Sequence, residues 1–74
     1  MSLEEIGQTI QTRRKSLGIT QEEAASIAQC SKPTLIAIEA GKGGTKLQTL
    51  LRILTALGLQ ITVKENKINL FRTP

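Results

Sequence analysis

The stretch TQEEAASIAQCSKPTLIAIEAG (residues 20–41) decides the fold, because it predicts two short helices joined by a tight turn. Thr20 and Glu23 have the three-residue spacing of a capping box, which marks the start of a helix. Ser31 is a typical N-cap for the second helix, and Gly41 is typical of the residue that ends one. The turn is therefore expected immediately before Ser31.

Each of these two helices has an apolar face that predicts packing against a common core. In the second helix, Leu35 and Ile38 are three residues apart and are expected to face inward. Ile36 is one step around the helix from Leu35, so it turns outward toward a groove or partner, or is buried in part. The apolar positions of the first helix are Ala24, Ala25, Ile27 and Ala28, and its small alanines allow a neighbouring helix to lie close.

Longer helices are predicted on either side of this pair. Ser2 and Glu5 form a capping box ahead of the earlier helix, and Thr45 and Gln48 form one ahead of the later helix. Gly58 follows the later helix as its terminator. The apolar positions recur at helical spacing and are Leu3, Ile6, Ile10 and Leu17 in the earlier helix and Leu47, Leu50, Leu51, Leu54 and Leu57 in the later one.

After Gly58 the spacing of the apolar residues changes from helical to alternating. Leu59, Ile61 and Val63 alternate with polar residues, which predicts a half-buried β-strand. A lone strand is not stable, so this one needs a partner. We expect it to pair with the same strand of a second subunit in a two-fold homodimer, with Leu59, Ile61 and Val63 in the dimer interface.

A hairpin within the chain is the other way to pair this strand. Residues 65–66 would turn the chain so that Ile68 and Leu70 add a second strand, although this turn lacks the glycine that favours tight hairpins. The last three residues are expected to fray. The predicted organisation is a helix-turn-helix domain over residues 1–58 and a dimerisation strand with a tail over residues 59–74.

The size and composition of the chain favour self-association and argue against catalysis. A single domain of 74 residues buries only about 60% of its unfolded surface. Cys30 is the only cysteine and histidine is absent, so no internal disulfide or zinc site is available, and dimerisation remains. Without histidine the chain also lacks the commonest general base. We predict that it is not an enzyme and that it uses no cofactor.

The charge of the chain favours a polyanionic partner. The formal net charge is +4 and the isoelectric point is about 9.7. Phe71 is the only aromatic residue, so the stacking platforms that bind single-stranded nucleic acid are missing, and duplex DNA is favoured. The unpaired cysteine, the absence of a leader and the short apolar stretches predict a cytoplasmic protein.

Two motifs, RRKSLGITQEE (residues 13–23) and IEAGK (residues 38–42), resemble the Cro/C1-type (XRE) helix-turn-helix family. The resemblance extends roughly over residues 4–58, and with the predicted strand the chain most resembles HipB-type antitoxins. This resemblance implies a mainly α fold. The expected architecture is a lambda-repressor-like helix-turn-helix bundle of four helices with a C-terminal β-strand that pairs across a dimer.

The resemblance also implies which residues contact DNA. Gln21, in the first turn of the second helix, would grip a phosphate together with the helix N-terminus. Lys32 is the best candidate to read a base, since its ammonium can donate to O6 and N7 of guanine. The residues expected to face bases are Ser31, Lys32, Pro33, Thr34 and Ala37, with Ile36 as a van der Waals contact. If the chain does not bind DNA, Ser31 is only a helix cap, Lys32 a surface charge and Thr34 a solvated hydroxyl.

Two further sets of residues have expected roles, the first from its chemistry and the second from the resemblance. The loop with Lys42, Thr45 and Lys46 offers ammonium and N–H groups that suit the phosphate backbone. Arg14 and Glu39 match an internal ion pair that joins the first helix to the end of the third.

Two positions near the turn, Gln29 and Ala24, differ from the family pattern, and a third, Cys30, has two possible roles. Gln29 stands where the family has glycine, so a positive φ at this position would be strained. Ala24 replaces a leucine and thins the core. Cys30 aligns with an apolar turn residue and is interpreted as core filler, with a redox switch as the alternative.

Together these expectations describe a sequence-specific transcriptional repressor of double-stranded DNA. A homodimer would place two recognition helices in successive major grooves, about 34 Å apart, on a pseudo-palindromic operator. The added strand favours a HipB-like antitoxin that represses its own operon and binds a HipA-like serine/threonine kinase toxin. The alternatives are a stand-alone phage-type repressor and a module that docks a partner without reading DNA through Ile36, Ile68, Leu70 and Phe71.

Overall fold

The computed structural model describes residues 2–65 and 67–72 of the chain. Four helices precede two strands, which confirms the predicted mainly α fold with four helices. Among the described residues, no helix is both long enough and apolar enough to cross a membrane. The elements are α1 (Leu3–Ser16), α2 (Gln21–Ala28), α3 (Lys32–Glu39), α4 (Leu47–Ala56), β1 (Leu59–Lys64) and β2 (Lys67–Arg72).

The first two helices begin with the predicted capping boxes. Ser2 Oγ accepts a hydrogen bond from the N–H of Glu5 at 3.1 Å, and Glu5 Oε1 accepts one from the N–H of Ser2 at 3.0 Å. Thr20 and Glu23 make the same reciprocal pair at 3.1 and 2.9 Å. Each box satisfies N–H groups that have no partner within the helix, which fixes where α1 and α2 begin.

The capping box predicted ahead of α4 is wrong. This helix begins at Leu47, with Lys46 rather than Thr45 as its N-cap, and no side chain caps it. A lysine ammonium only donates hydrogen bonds, so it cannot accept one from the first N–H groups of the helix. The packing of α4 against the core therefore stabilises this helix in place of a cap.

The turn between α2 and α3 depends on a residue in the left-handed conformation. Gln29 has φ 58° and ψ 45°, and it is the only non-glycine residue with positive φ in the described part of the chain. This conformation lets the N–H of Cys30 donate to the carbonyl oxygen of Ala25 at 2.9 Å, which closes the end of α2. It costs a non-glycine residue about 1–2 kcal/mol, so the strain anticipated at this position is present.

The core lies between the four helices and one face of the hairpin. Leu35 and Ile38 are both buried, as predicted for the inner face of α3. Three alanines of α2 lie against the same core and allow the close packing expected of them. The largest fully buried side chains are Ile10, Leu35, Ile53, Leu54 and Leu57.

The predicted apolar faces are broader than the surfaces that are buried. Leu47 and Leu51 of α4 are exposed, and so is Ile27 of α2, whereas Ile53, which was not predicted to face inward, is buried. A core-facing stripe on a helix spans roughly 100°, so leucines at the edges of a wider apolar face remain in solvent. The bundle thus buries the centre of the α4 face and leaves its margin exposed.

β1 and β2 form an antiparallel hairpin within the chain, with Leu59 opposite Arg72. This is the alternative that the sequence left open beside pairing between subunits. Leu59 is buried, and Ile61 and Leu70 pack against the core. Leu59 therefore belongs to the core of its own chain rather than to the predicted dimer interface, because the hairpin packs this face against the helices.

The hairpin leaves part of β1 available for a partner. Val63 is 76% exposed, and no strand pairs with the second edge of β1 among the described residues. Pairing across a dimer along this edge stays a prediction. Asn66 of the expected turn and residues 73–74 of the expected frayed tail lie outside the described residues.

Two arginines join helices at their C-terminal ends. Arg13 Nε donates to the carbonyl oxygen of Leu57 at 2.9 Å, and Arg52 Nε donates to that of Ala28 at 3.1 Å. Carbonyls in the last turn of a helix lack intrahelical donors, and a positive charge is favourable beside them. These bonds hold α1 against the end of α4 and α4 against the end of α2.

At Gly7, α1 lies directly against the backbone at the end of α3. A Cβ at this position would collide with the carbonyl oxygen of Ile38 and would lie 2.7 Å from that of Glu39. Only glycine permits such an approach without displacing backbone. The contact brings α1 near the end of α3, where the two helices share an ion pair described below.

Candidate nucleic-acid interface

α3 has one face in the core and the opposite face in solvent. Leu35 and Ile38 are buried, whereas Lys32 and Pro33 are exposed. Ile36 is 43% exposed, so it faces outward. Because residues three and four apart share one side of a helix, Lys32, Pro33 and Ile36 form a continuous surface, which we call the α3 exposed face.

The start of α3 is fixed by a pair of hydroxyl groups. Ser31 Oγ accepts a hydrogen bond from the N–H of Thr34 at 3.2 Å, and the two hydroxyl oxygens are 2.8 Å apart. Ser31 is exposed, while Thr34 and Ala37 are half-buried beside the α3 exposed face. Ser31 thus serves as the helix cap, and a DNA contact from either hydroxyl would be made in addition to this pairing.

Lys32 makes an ion pair with a residue of the preceding helix. Its Nζ lies 3.3 Å from Glu22 Oε1, and the two side chains are 46% and 75% exposed. The pair links the N-terminal turns of α2 and α3. An exposed ion pair contributes at most about 1 kcal/mol, so this contact favours one position of the Lys32 ammonium without fixing it there.

Gln21 is the first residue of α2 and lies in the same groove as Lys32. Its Nε2 donates to Glu39 Oε1 at 3.1 Å, which fixes the amide. A glutamine amide carries two N–H donors and a carbonyl acceptor, so one bond does not exhaust it. The groove has a volume of about 420 Å³ and is lined by Arg14, Thr20, Gln21, Glu22 and Lys32.

Arg14 and Glu39 form a buried bidentate ion pair. Arg14 Nε and Nη2 lie 2.7 and 3.1 Å from Glu39 Oε2 and Oε1. Arg14 Nη1 donates to the carbonyl oxygen of Ile19 at 3.0 Å, and the two side chains are only 9% and 2% exposed. The pair joins α1 to the end of α3 and thereby fixes α3 relative to α1.

Hydrogen bonding sets the charge state of this pair. The bond to Glu39 raises the pKa of Arg14 above its ordinary value, although burial opposes this change. Burial alone would raise the pKa of Glu39, but hydrogen bonds from Arg14, Gln21 and Gln11, together with the Arg14 charge, lower it. Both groups are therefore charged at neutral pH.

The loop after α3 carries the predicted phosphate contacts. Lys42 and Lys46 are exposed, and Thr45 is half-buried. The N–H of Lys42 donates to the carbonyl oxygen of Ala37 at 2.9 Å, which ties the loop to α3. The α3 exposed face thus has the ammonium of Lys32 at its N-terminal end and this basic loop beyond its C-terminal end.

Sequence reasoning missed several residues that position this surface. Glu22 was not among the predicted site residues, yet its carboxylate pairs with the Lys32 ammonium. Gly7 carried a usable signal, since glycine inside a helix costs about 1 kcal/mol relative to alanine and so indicates a packing constraint. No sequence signal indicated the roles of Arg13 and Arg52, because each donates to a backbone carbonyl that is distant in the sequence.

Cys30 is half-buried and packs against the core. Burial raises the pKa of its thiol, and the charge of Arg52 opposes this change. A protonated thiol is a poor nucleophile, which favours the role of core filler over a redox switch. In the part of the chain that the structure describes, no group of three histidine, cysteine or acidic side chains could hold a metal ion.

Comparison with known proteins identifies the family. A helix-turn-helix family model matches residues 10–64. An uncharacterized HTH-type transcriptional regulator of Haemophilus influenzae is 33% identical over 52 residues, which are 70% of this chain and 53% of that protein. Another, of Methanothermobacter thermautotrophicus, is 43% identical over 49 residues, 66% of this chain and 71% of that protein. The chain thus spans about half the length of the first relative, and it belongs to the Cro/C1-type helix-turn-helix family of DNA-binding proteins.

Proposed function

We propose that this chain is a homodimeric transcriptional repressor that binds double-stranded DNA at a pseudo-palindromic operator. The observation that carries the proposal is the α3 exposed face, in which Lys32, Pro33 and Ile36 lie in solvent. The two relatives are named as transcriptional regulators, which supports a regulatory role.

Reading and positioning fall to different residues in this proposal. With α3 in the major groove, Lys32 donates to guanine, and Pro33, Ile36 and Ala37 offer apolar contacts to thymine methyl groups. Ser31 and Thr34 have hydroxyls at the same end of the helix. The groups that hold the phosphate backbone are Gln21 with the N-terminus of α2, and Lys42, Thr45 and Lys46 of the loop.

Dimerisation would set the spacing of the two recognition helices. A two-fold pair of subunits places them in successive major grooves, about 34 Å apart, so that the operator shares the symmetry of the protein. The second edge of β1 and the exposed side chain of Val63 support pairing at this point. Occupancy of a promoter by such a dimer would block transcription, and autorepression is the simplest form.

Fluorescence anisotropy tests this function. The protein is titrated into labelled DNA from upstream of its own gene and into a scrambled duplex of equal length, at low and near-physiological salt. The proposal predicts tighter binding to the upstream duplex and a steep loss of affinity for both duplexes as salt rises, because several phosphates are neutralised. Weak binding that does not distinguish the two duplexes would exclude sequence-specific autorepression.

A finer proposal is that the chain is the HipB-like antitoxin of a toxin–antitoxin operon and binds a HipA-like serine/threonine kinase toxin. β1, the strand that follows the four helices, supports it, since the resemblance to HipB-type antitoxins rests on an appended strand. A neighbouring gene for a kinase-like protein whose product co-purifies with this chain would be the expected result. Absence of such a gene would favour a stand-alone phage-type repressor.

The competing function is a module that docks a protein partner without reading DNA. The exposed apolar side chains of Ile27, Leu47 and Leu51 favour it. Of the residues predicted for this role, Ile36 is exposed, whereas Leu70 packs against the core of its own chain. A docking module would bind both duplexes weakly, so the anisotropy experiment also separates these two functions, and the module's binding to an apolar partner would respond little to salt.

A further inference from the structure

We propose that Glu22 is a specificity-determining residue, whose carboxylate holds the Lys32 ammonium at the base-reading end of α3 and away from the phosphate backbone. The inference rests on the proposed function, since it concerns the same DNA surface. It is carried by the 3.3 Å contact between Glu22 Oε1 and Lys32 Nζ and by the position of both residues in N-terminal turns.

The location of Glu22 gives its charge an effect on phosphates. Glu22 follows Gln21, which is the residue proposed to contact a phosphate at the start of α2. A carboxylate beside this point repels the phosphate backbone, and this repulsion matters most in a non-specific complex, where phosphate contacts supply essentially all of the affinity. Glu22 therefore disfavours complexes that depend on phosphate contacts alone.

The contact with Glu22 also restricts where Lys32 can reach. A lysine ammonium sits on a flexible four-carbon stem and binds phosphates as a point charge, which adds affinity without sequence information. Arg14, the other cation that lines this groove, is committed to Glu39 in a buried pair. Within the groove, Lys32 is thus the cation whose partner can change, and Glu22 decides which partner is favoured.

The test is Glu22→Gln, which removes the charge and preserves the size of the side chain. We expect about fivefold tighter binding to the scrambled duplex, the equivalent of about 1 kcal/mol, and less than a twofold change on the upstream duplex. Release of Lys32 to one phosphate should steepen the dependence of log Kobs on log salt by about 0.9 on the scrambled duplex.

Two controls separate this effect from a general change in charge. Glu65→Gln removes the same charge from an exposed residue beyond β1 and should leave the ratio of the two affinities unchanged. In a Lys32→Ala background, Glu22→Gln should no longer steepen the salt dependence, because no ammonium is released.

The outcomes distinguish this inference from the proposed function. If the wild-type protein prefers the upstream duplex but Glu22→Gln and Glu65→Gln change both affinities equally, the role of Glu22 is overturned and the proposed function stands. If the wild-type protein shows no preference, the proposed function fails and the inference fails with it.

Discussion

Individual side chains in this molecule connect the core to the proposed DNA surface. Glu39 accepts hydrogen bonds from Arg14 of α1 and from Gln21 of α2. One buried carboxylate therefore orients Gln21, the side chain proposed to contact a DNA phosphate. The Arg14–Glu39 match was visible in the sequence through the family resemblance. The bond from Gln21 and the contact between Glu22 and Lys32 were not, because the rotamers of long side chains depend on how the helices are placed.

The left-handed residue of the turn leads to a first prediction. Replacing Gln29 by glycine should stabilise the protein by about 0.5–1 kcal/mol, because relief of the left-handed strain exceeds the added entropy of the unfolded chain. Urea denaturation measures the change. The matched control is Gln8→Gly in the middle of α1, which should destabilise the protein by about 1 kcal/mol. Equal destabilisation by both substitutions would contradict the strain assigned to Gln29.

The buried ion pair predicts how stability depends on pH. Because the pKa of Glu39 in the folded protein lies below its ordinary value of 4.5, its contribution is complete above that value and is lost as pH falls through the lowered pKa. At neutral pH, Glu39→Ala should cost about 3 kcal/mol, since Arg14 is left buried without a counter-charge. Urea unfolding between pH 7 and pH 3 should show the difference from wild type shrinking at the acid end. A difference that is independent of pH would contradict the assigned shift.

At the scale of the helices and strands, sequence motifs predicted a helix start correctly where residues close in the sequence determine it. The boxes at Ser2 and Thr20 formed as predicted, because their partners lie three residues away. The predicted start of α4 and the predicted burial of its leucines were wrong in part. Neighbouring helices determine which part of an apolar helix face is buried, and they lie far away in the sequence. For the same reason, the sequence did not decide whether β1 pairs within its own chain or with a second subunit.

The close approach of α1 and α3 can be tested by adding one methyl group. Gly7→Ala should destabilise the protein by about 2 kcal/mol, because overpacking against rigid backbone exceeds the gain in helix propensity. At Gly43, by contrast, a Cβ would lie 3.4 Å from Leu3 Cδ1, which is the end of a flexible side chain. Gly43→Ala is therefore the control and should change stability by less than about 0.5 kcal/mol. Thermal or urea unfolding measures the two stability changes. Equal changes in Gly7→Ala and Gly43→Ala would contradict the close approach of α1 to α3 at Gly7.

At the scale of the whole molecule, the four helices position the proposed DNA surface, and the hairpin packs against their core. Leu59, Ile61 and Leu70 contribute to that core, so the segment whose favoured role was dimerisation also stabilises the single chain. Periodicity identified β1 but could not show its packing, because an apolar face is the same whether it meets its own helices or a second subunit.

The proposed dimer makes a prediction for the exposed end of β1. Val63→Asp should weaken self-association at least about tenfold, since a charge is then brought to the shared edge, while the stability of the single chain changes little. Sedimentation equilibrium measures the association. Ser26→Asp introduces the same charge at an exposed position of α2, outside β1, and serves as the control. Unchanged association in Val63→Asp would place the dimer interface elsewhere.

The central claim is that the α3 exposed face reads duplex DNA, and its most direct test compares Lys32→Ala with Lys46→Ala on the upstream and scrambled duplexes. If Lys32 reads a base, its loss should cost about 1–3 kcal/mol on the upstream duplex and little on the scrambled one. Lys46→Ala should weaken both duplexes equally and reduce the salt slope by about 0.9. Equal weakening of both duplexes by Lys32→Ala would contradict the claim, because Lys32 would then be a phosphate contact and α3 would not be reading the sequence through it.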